Sequence, residues 1–144
     1  METGSTFCQP CSYTCATCSV LTTTCTSCPA NSFRTLDTTL STCPCDAGYY
    51  DNGGNSSCLL CSPICLTCTL FSQCLSCNAA LFRTLDTTAI TCSCNPGYFD
   101  NGVPTCSICA STCLTCSGAA SNCLTCPTGR VLSGSSCVCV AGSY

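Results

Sequence analysis

The chain has no histidine, no tryptophan and no lysine, and only three arginines and six acids among its 144 residues. Without histidine the commonest general base is missing, and the acids are too thinly spread to form a working carboxylate pair. Serine and threonine are plentiful but have no neighbouring group to activate a hydroxyl nucleophile. The expectation is a protein that is not an enzyme, with no catalytic residue and no cofactor site. No apolar run approaches the length needed to cross a bilayer. The net charge of −3, carried singly along the chain, does not suit nucleic acid. The opening Met1-Glu2-Thr3-Gly4 has neither the basic nor the apolar segment of a secretory signal, so a signal is expected to have been removed or the chain to be part of a longer product. Ordinary core residues are scarce as well. Leu, Ile, Val and Phe total 26, below the share of globular chains.

What the chain does have is 24 cysteines in a strict period. Cys58 to Cys77 reads CLLCSPICLTCTLFSQCLSC, three Cys-x-x-Cys pairs in twenty residues. The figure recurs from Cys8 to Cys28 and from Cys106 to Cys126. Each copy is followed by a hydroxyl-rich stretch and a Cys-x-Cys pair: Cys43 with Cys45, Cys92 with Cys94, Cys137 with Cys139. The chain is three tandem eight-cysteine repeats, residues 1–50, 51–99 and 100–144. Its phase closes on itself. Glu2 and Gly4 before Cys8 match Asp100 and Gly102 before Cys106, and the run from Cys139 to Tyr144 matches Cys94 to Phe99.

A unit of about fifty residues cannot offset its chain entropy by apolar burial alone, so staples or metals must help. Structural zinc or a metallothionein-like role is one reading of the Cys-x-x-Cys pairs, with eight thiolates per repeat for two sites. Each tetrathiolate zinc carries about −2, so six would add about −12 to the chain. Only Arg34, Arg83 and Arg130 are there to neutralise it. A redox Cys-x-x-Cys enzyme would need a βαβ scaffold that the sequence lacks. Disulfides are preferred and no metal site is expected. That density of disulfides implies an oxidising compartment, secreted or at the cell surface.

The fold class expected is small and disulfide-rich, a rod of three repeats with short two-stranded β-hairpins and little or no helix. Arg130-Val131-Leu132, a Ser-Gly turn and Cys137-Val138-Cys139 make the clearest hairpin. The β-branched text around Arg34 and Arg83 gives two longer ones. Asp37 and Asp86, three residues beyond Arg34 and Arg83, suggest a local ion pair on an exposed ribbon, against a repeated ligand-binding charge. Asp51-Asn52 and Asp100-Asn101 sit in turn signals; one carboxylate per loop is too few oxygens for calcium. Tyr49, Tyr50, Tyr98 and Phe99 are expected to cover the disulfides of the neighbouring repeat.

Eight cysteines allow 105 pairings. A hairpin brings its ends together, favouring Cys28–Cys43, Cys77–Cys92 and Cys126–Cys137. The Gly-aromatic loops then close as Cys45–Cys58 and Cys94–Cys106. The remainder interleave as Cys11–Cys18 with Cys15–Cys25, Cys61–Cys68 with Cys65–Cys74, and Cys109–Cys116 with Cys113–Cys123. This staggered scheme leaves Cys139 to pair with Cys8 of a next copy. The rival scheme closes within each repeat, with Cys8–Cys15, Cys11–Cys18, and Cys25 and Cys28 paired to Cys43 and Cys45.

The CxxCxxxCxxC figure followed by CxC and Gly-Tyr resembles furin-like and growth-factor-receptor cysteine-rich repeats. CDAGYYDNGGNSSC and CNPGYFDNGVPTC look like the terminal loop of EGF-like modules. With Thr/Ser-rich spacers, the whole is most similar to repetitive cysteine-rich surface proteins of ciliates and other protists. The resemblance implies elongated disulfide-stapled rods, used as spacers, receptors or coats. The receptor-like globular domain, the kinase segment and the calcium-type EGF signature are absent.

Two functions are expected to compete. The first is an extracellular structural protein joining copies of itself head to tail, or continuing as further repeats, into a filament or coat. Glycans would decorate it at Asn55, the one N-linked sequon, and by O-linkage at Thr22, Thr23, Thr24, Thr38, Thr39, Thr87 and Thr88; the alternative is that these hydroxyls only solubilise the chain. The second is a receptor, adhesin or surface-antigen segment binding a protein or glycan. Leu59, Leu60, Ile64, Leu66, Leu70 and Phe71 would form its patch, unless they are contacts between repeats.

Overall fold

The computed structural model describes residues 8–142, so the sequence matches involving Glu2, Gly4, Ser143 and Tyr144 lie outside it. Its strands are short because paired cysteines interrupt every apolar alternation before a long ladder can grow. They form seven two-stranded sheets, with one 3-10 turn at Ala79–Leu81, among the described residues.

Three kinds of hairpin recur. The Cys-x-x-Cys region gives β1 (Thr17–Cys18) with β2 (Cys25–Ser27), β5 (Cys65–Leu70) with β6 (Gln73–Cys77), and β11 (Thr115–Cys116) with β12 (Cys123–Thr125). Facing hydroxyls tie these ribbons, as Thr67 to Ser76 and Thr115 to Thr125, each at 2.5 Å. The arginine region gives β7 (Arg83–Asp86) with β8 (Thr91–Cys94) and β13 (Arg130–Ser133) with β14 (Ser136–Cys139). In the first repeat this ribbon is reduced to the bridges Arg34↔Cys45 and Asp37↔Thr42. The Gly-aromatic region gives β3 (Tyr49–Tyr50) with β4 (Leu59–Leu60) and β9 (Tyr98–Phe99) with β10 (Ser107–Ile108).

A turn feeds each of the last pair. Tyr98 N–H donates to Asn95 C=O at 3.0 Å across Pro96 and Gly97, and Gly97 has φ +83°. Proline presets the first central residue and only glycine takes the second without strain. Phe33 and Phe82 also take positive φ, 53° and 56°, where a bulky residue is costly. Each returns part of that cost by stacking on the following tyrosine, Phe33 on Tyr49 at 4.3 Å and Phe82 on Tyr98 at 4.6 Å. The third repeat puts Gly129 at this place, relieving strain and forgoing the stack.

Contacts divide the chain into two compact units, Met1–Cys61 with Thr69–Phe71, and Ser62–Cys68 with Ser72–Tyr144. In the first, Cys15, Cys25 and Cys43 form a buried cluster with Leu36 against it. In the second, Cys109, Cys113, Cys116, Cys123 and Cys137 cluster, with Phe99 packed on them. Phe99 thus covers the sulfur cluster that follows it in sequence, whereas Tyr49 and Tyr98 spend a face on their own phenylalanines. Among the described residues, all fifteen buried apolar side chains are cysteines. Most leucines, valines and phenylalanines stay outside: Leu60 is 58% exposed, Phe71 57% and Val20 100%. The interior is sulfur.

Candidate functional site

The disulfides are Cys11–Cys18, Cys15–Cys25, Cys28–Cys43, Cys45–Cys58, Cys65–Cys74, Cys77–Cys92, Cys94–Cys106, Cys109–Cys116, Cys113–Cys123 and Cys126–Cys137. Cys61 and Cys68 are oxidised as well. Cys8 and Cys139 are free thiols, and both are exposed.

Beside two of these bonds lies an arginine clamp. The Arg34 side chain is buried and uses every edge of its guanidinium. Nε donates to Ser56 C=O at 2.8 Å, Nη1 to Cys43 C=O at 2.9 Å, and Nη2 to Asp51 Oδ2 at 2.6 Å and Asn55 C=O at 3.4 Å. Arg83 repeats the pattern. Nε donates to Pro104 C=O at 2.6 Å, Nη1 to Cys92 C=O at 2.9 Å, and Nη2 to Asp100 Oδ2 at 2.9 Å and Val103 C=O at 3.2 Å. Five donors in a rigid fork suit this task, and lysine could not perform it.

The clamp corrects the local ion pair expected from Asp37 and Asp86 on an exposed ribbon. Arg34 is 8% and Arg83 5% exposed, and each ion pair is made with an aspartate seventeen residues on. The reason is strand geometry. Side chains alternate across a strand, so residues three apart face opposite ways. Asp37 Oδ1 instead accepts from Thr39 and Leu40 N–H, and Asp86 Oδ1 from Thr88 and Ala89 N–H, closing the ribbon turns.

The clamped carboxylates are equally committed. Asp51 Oδ1 accepts from Gly53 N–H at 2.8 Å and the Tyr13 hydroxyl at 3.2 Å; Asp100 Oδ1 accepts from Gly102 N–H at 2.9 Å. The Tyr13 ring also lies 5.8 Å from the Arg34 guanidinium carbon. Partial burial pulls the Asp51 carboxyl up, but the Gly53 amide, Arg34 and Tyr13 outweigh it and hold it below its ordinary 3.8. For Asp100 the Gly102 amide leads and Arg83 follows, again holding it low. Desolvation first, then the Asp51 carboxylate, push the Tyr13 hydroxyl up.

A carboxyl depressed in the folded state stabilises the fold above its unfolded value and ceases to do so as pH falls through the folded one. The loops 51–58 and 100–106 should therefore loosen only below 3.8, the ordinary carboxyl value. Amide exchange at Gly53 and Gly102, corrected for intrinsic rates between pH 5 and 2, should show protection falling in that range. A flat profile would contradict the clamp.

The third repeat holds only part of the device. Arg130 Nη1 donates to Cys137 C=O at 3.1 Å, as the other two arginines do to Cys43 and Cys92. Nothing among the described residues takes its Nε or Nη2. Among the described residues no group of three or more His, Cys, Asp or Glu side chains could hold a metal ion, and no helix is long and apolar enough to cross a membrane. Of the glycan candidates, Asn55, Thr23, Thr38, Thr39, Thr87 and Thr88 are exposed, while Thr22 and Thr24 are half-buried. Of the proposed patch, Leu59, Leu60, Leu66, Leu70 and Phe71 are exposed and Ile64 is half-buried.

Sequence reasoning missed the clamp because its carboxylate is distant. A signal was present all the same: Asp51 and Asp100 recur at one spacing from Arg34 and Arg83. Comparison with family models, curated proteins and solved structures gives no match to this chain.

Proposed function

We propose that the chain is an extracellular structural repeat protein whose copies join head to tail through Cys139 of one and Cys8 of the next. One observation carries this reading. Cys139 occupies the place of Cys45 and Cys94, and Cys8 that of Cys58 and Cys106, yet these two alone are free and exposed. Eleven disulfides in a chain of this size belong in an oxidising compartment. The resemblance to furin-like repeats and protist surface proteins points the same way. Catalysis and resident metal have no part in this reading, and glycans at the exposed hydroxyls would shield the array. A receptor or adhesin role for the exposed leucines stands second.

The test is oxidation in a glutathione redox buffer, read by non-reducing gel and by mass spectrometry of peptides. The expected result is a ladder in steps of the 14.7 kDa chain, each joined by a Cys139–Cys8 peptide. Cys8→Ser should stop the ladder at a dimer. A monomer keeping both thiols, or closing Cys8 on Cys139 within one chain, would overturn the proposal.

A further inference from the structure

The first two repeats hold the same turn with different side chains on it. Cys15 N–H donates to Ser12 C=O, and Cys65 N–H to Ser62 C=O, each at 2.9 Å. Tyr13 and Pro63 therefore occupy one place in the repeat, between equivalent cysteines. In the first repeat the tyrosine closes over the clamp. Its hydroxyl donates to Asp51 Oδ1 at 3.2 Å, and its ring lies 5.8 Å from the Arg34 guanidinium carbon. Pro63 has neither that reach nor a donor. Among the described residues nothing takes the place of the hydroxyl at Asp100 Oδ1, which keeps the Gly102 N–H alone. The Asp100 side chain is accordingly 58% exposed, against 33% for Asp51.

An open cavity of about 400 Å³ stands there, within the size range of small-ligand pockets, about 300–1,000 Å³. Pro63, Ile64, Val103 and Pro104 wall it, and Arg83 and Asp100 supply its polar groups. The walls change character where the tyrosine is missing. Ile64 stands in the place of Thr14, and Val103 and Pro104 in the places of Asn55 and Ser56, the residues whose carbonyls each arginine holds. Three polar places are thus apolar around one uncovered carboxylate oxygen. Such a site suits a ligand with a flat apolar body and a single neutral donor. An anion finds no partner, because the Arg83 side chain is 2% exposed and its donors are committed. A cation gains little, because Arg83 already neutralises Asp100.

We propose that this cavity binds the tyrosine side chain of a partner protein, its ring against the four apolar walls and its hydroxyl donating to Asp100 Oδ1. Tyr13 is the pattern for the occupant. It shows a phenol ring carried on a polypeptide, with its hydroxyl on the aspartate and the guanidinium beside its ring. Tyrosine also suits an interface, since it brings a large rigid contact area at small entropic cost and one polar tip. The cavity binds independently of head-to-tail joining, because neither Cys8 nor Cys139 lines it.

The experiment titrates the oxidised protein with N-acetyltyrosine amide and follows backbone amide shifts by NMR. One ring is a small ligand, so saturation is expected at a Kd of about 1 mM, with shifts at Ile64, Gly102 and Val103. N-acetylphenylalanine amide should bind about tenfold more weakly, lacking the donor to a charged acceptor. The O-phosphorylated tyrosine derivative should not bind, since it sets phosphate charge against Asp100. Pro63→Tyr should supply the ring from within and abolish binding. Tyr13→Pro should open a second site, with new shifts at Gly53 and Asn55. No saturable shift at Gly102, or binding unchanged in Pro63→Tyr, would overturn the proposal. Equal affinity for the phenylalanine derivative would overturn the Asp100 hydrogen bond and with it the choice of tyrosine. The Cys139–Cys8 ladder should form normally in Pro63→Tyr, so the two readings fail separately.

Discussion

Complete reduction and alkylation should leave the chain without tertiary structure: near-UV circular dichroism lost, amide proton shifts collapsed, protease resistance gone. The bridges span separations from 7 to 15 residues. Loops of that size are worth about 2–3 kcal/mol each on the chain-entropy account. Net stabilities of ordinary domains are about 5–15 kcal/mol, so losing eleven bridges removes more than any such margin holds. Nothing else is there to compensate. Every buried apolar side chain among the described residues is itself a cysteine, and most of the leucines are exposed already. A dispersed spectrum surviving with all cysteines alkylated would require an apolar core other than cysteine, which the described residues do not form.

Arg83→Ala should produce one of the largest effects of any single substitution outside the cysteines. It strips Cys92, Pro104 and Val103 carbonyls of a charged donor and leaves Asp100 with the Gly102 amide as its one remaining partner. Removing one side of such a network costs about 2–4 kcal/mol, between the values for single charged hydrogen bonds and for buried ion pairs. The bridge Cys94–Cys106 still tethers the loop, so the loss is expected as local opening rather than global unfolding. Amide exchange at Gly102 and Cys106 should accelerate about 30- to 1,000-fold. Arg83→Lys should recover only a part, since one ammonium cannot reach both carbonyls and the carboxylate. The aspartates should differ between the two clamps. The Asp51 side chain is 33% exposed and the Asp100 side chain 58%, so Asp51→Asn should cost more than Asp100→Asn. Exchange rates unmoved by Arg83→Ala would mean that the disulfide alone shapes the loop.

The hairpins were legible because their signals are local. Arg130 to Cys139 announces a strand, a Ser-Gly turn and a return, and it folds with Val131 opposite Val138 and Leu132 opposite Cys137. The Pro96-Gly97 turn is likewise written in adjacent residues, since each fixes its own φ. Phe33 and Phe82 were not legible in this way. Their left-handed backbone is a cost that sequence preference argues against, and it is met only through tyrosines sixteen residues on. The clamp failed for a related reason. Asp86 is near Arg83 in sequence but is turned to the other face of the ribbon, and Asp100 is far in sequence but delivered by the loop that Cys94–Cys106 closes.

The sequence by itself determined that sulfur would fill the interior, because so few other apolar residues and so many cysteines leave no other choice for a short repeat. It also determined the short paired strands and the turns between them. Only the tertiary structure decided which carboxylate meets which arginine, and hence that each of the first two repeats takes an acid and a cysteine from the loop that follows it. The physical reason is that a guanidinium has no preference along the chain; it pairs with whichever carboxylate the closing loop carries into reach.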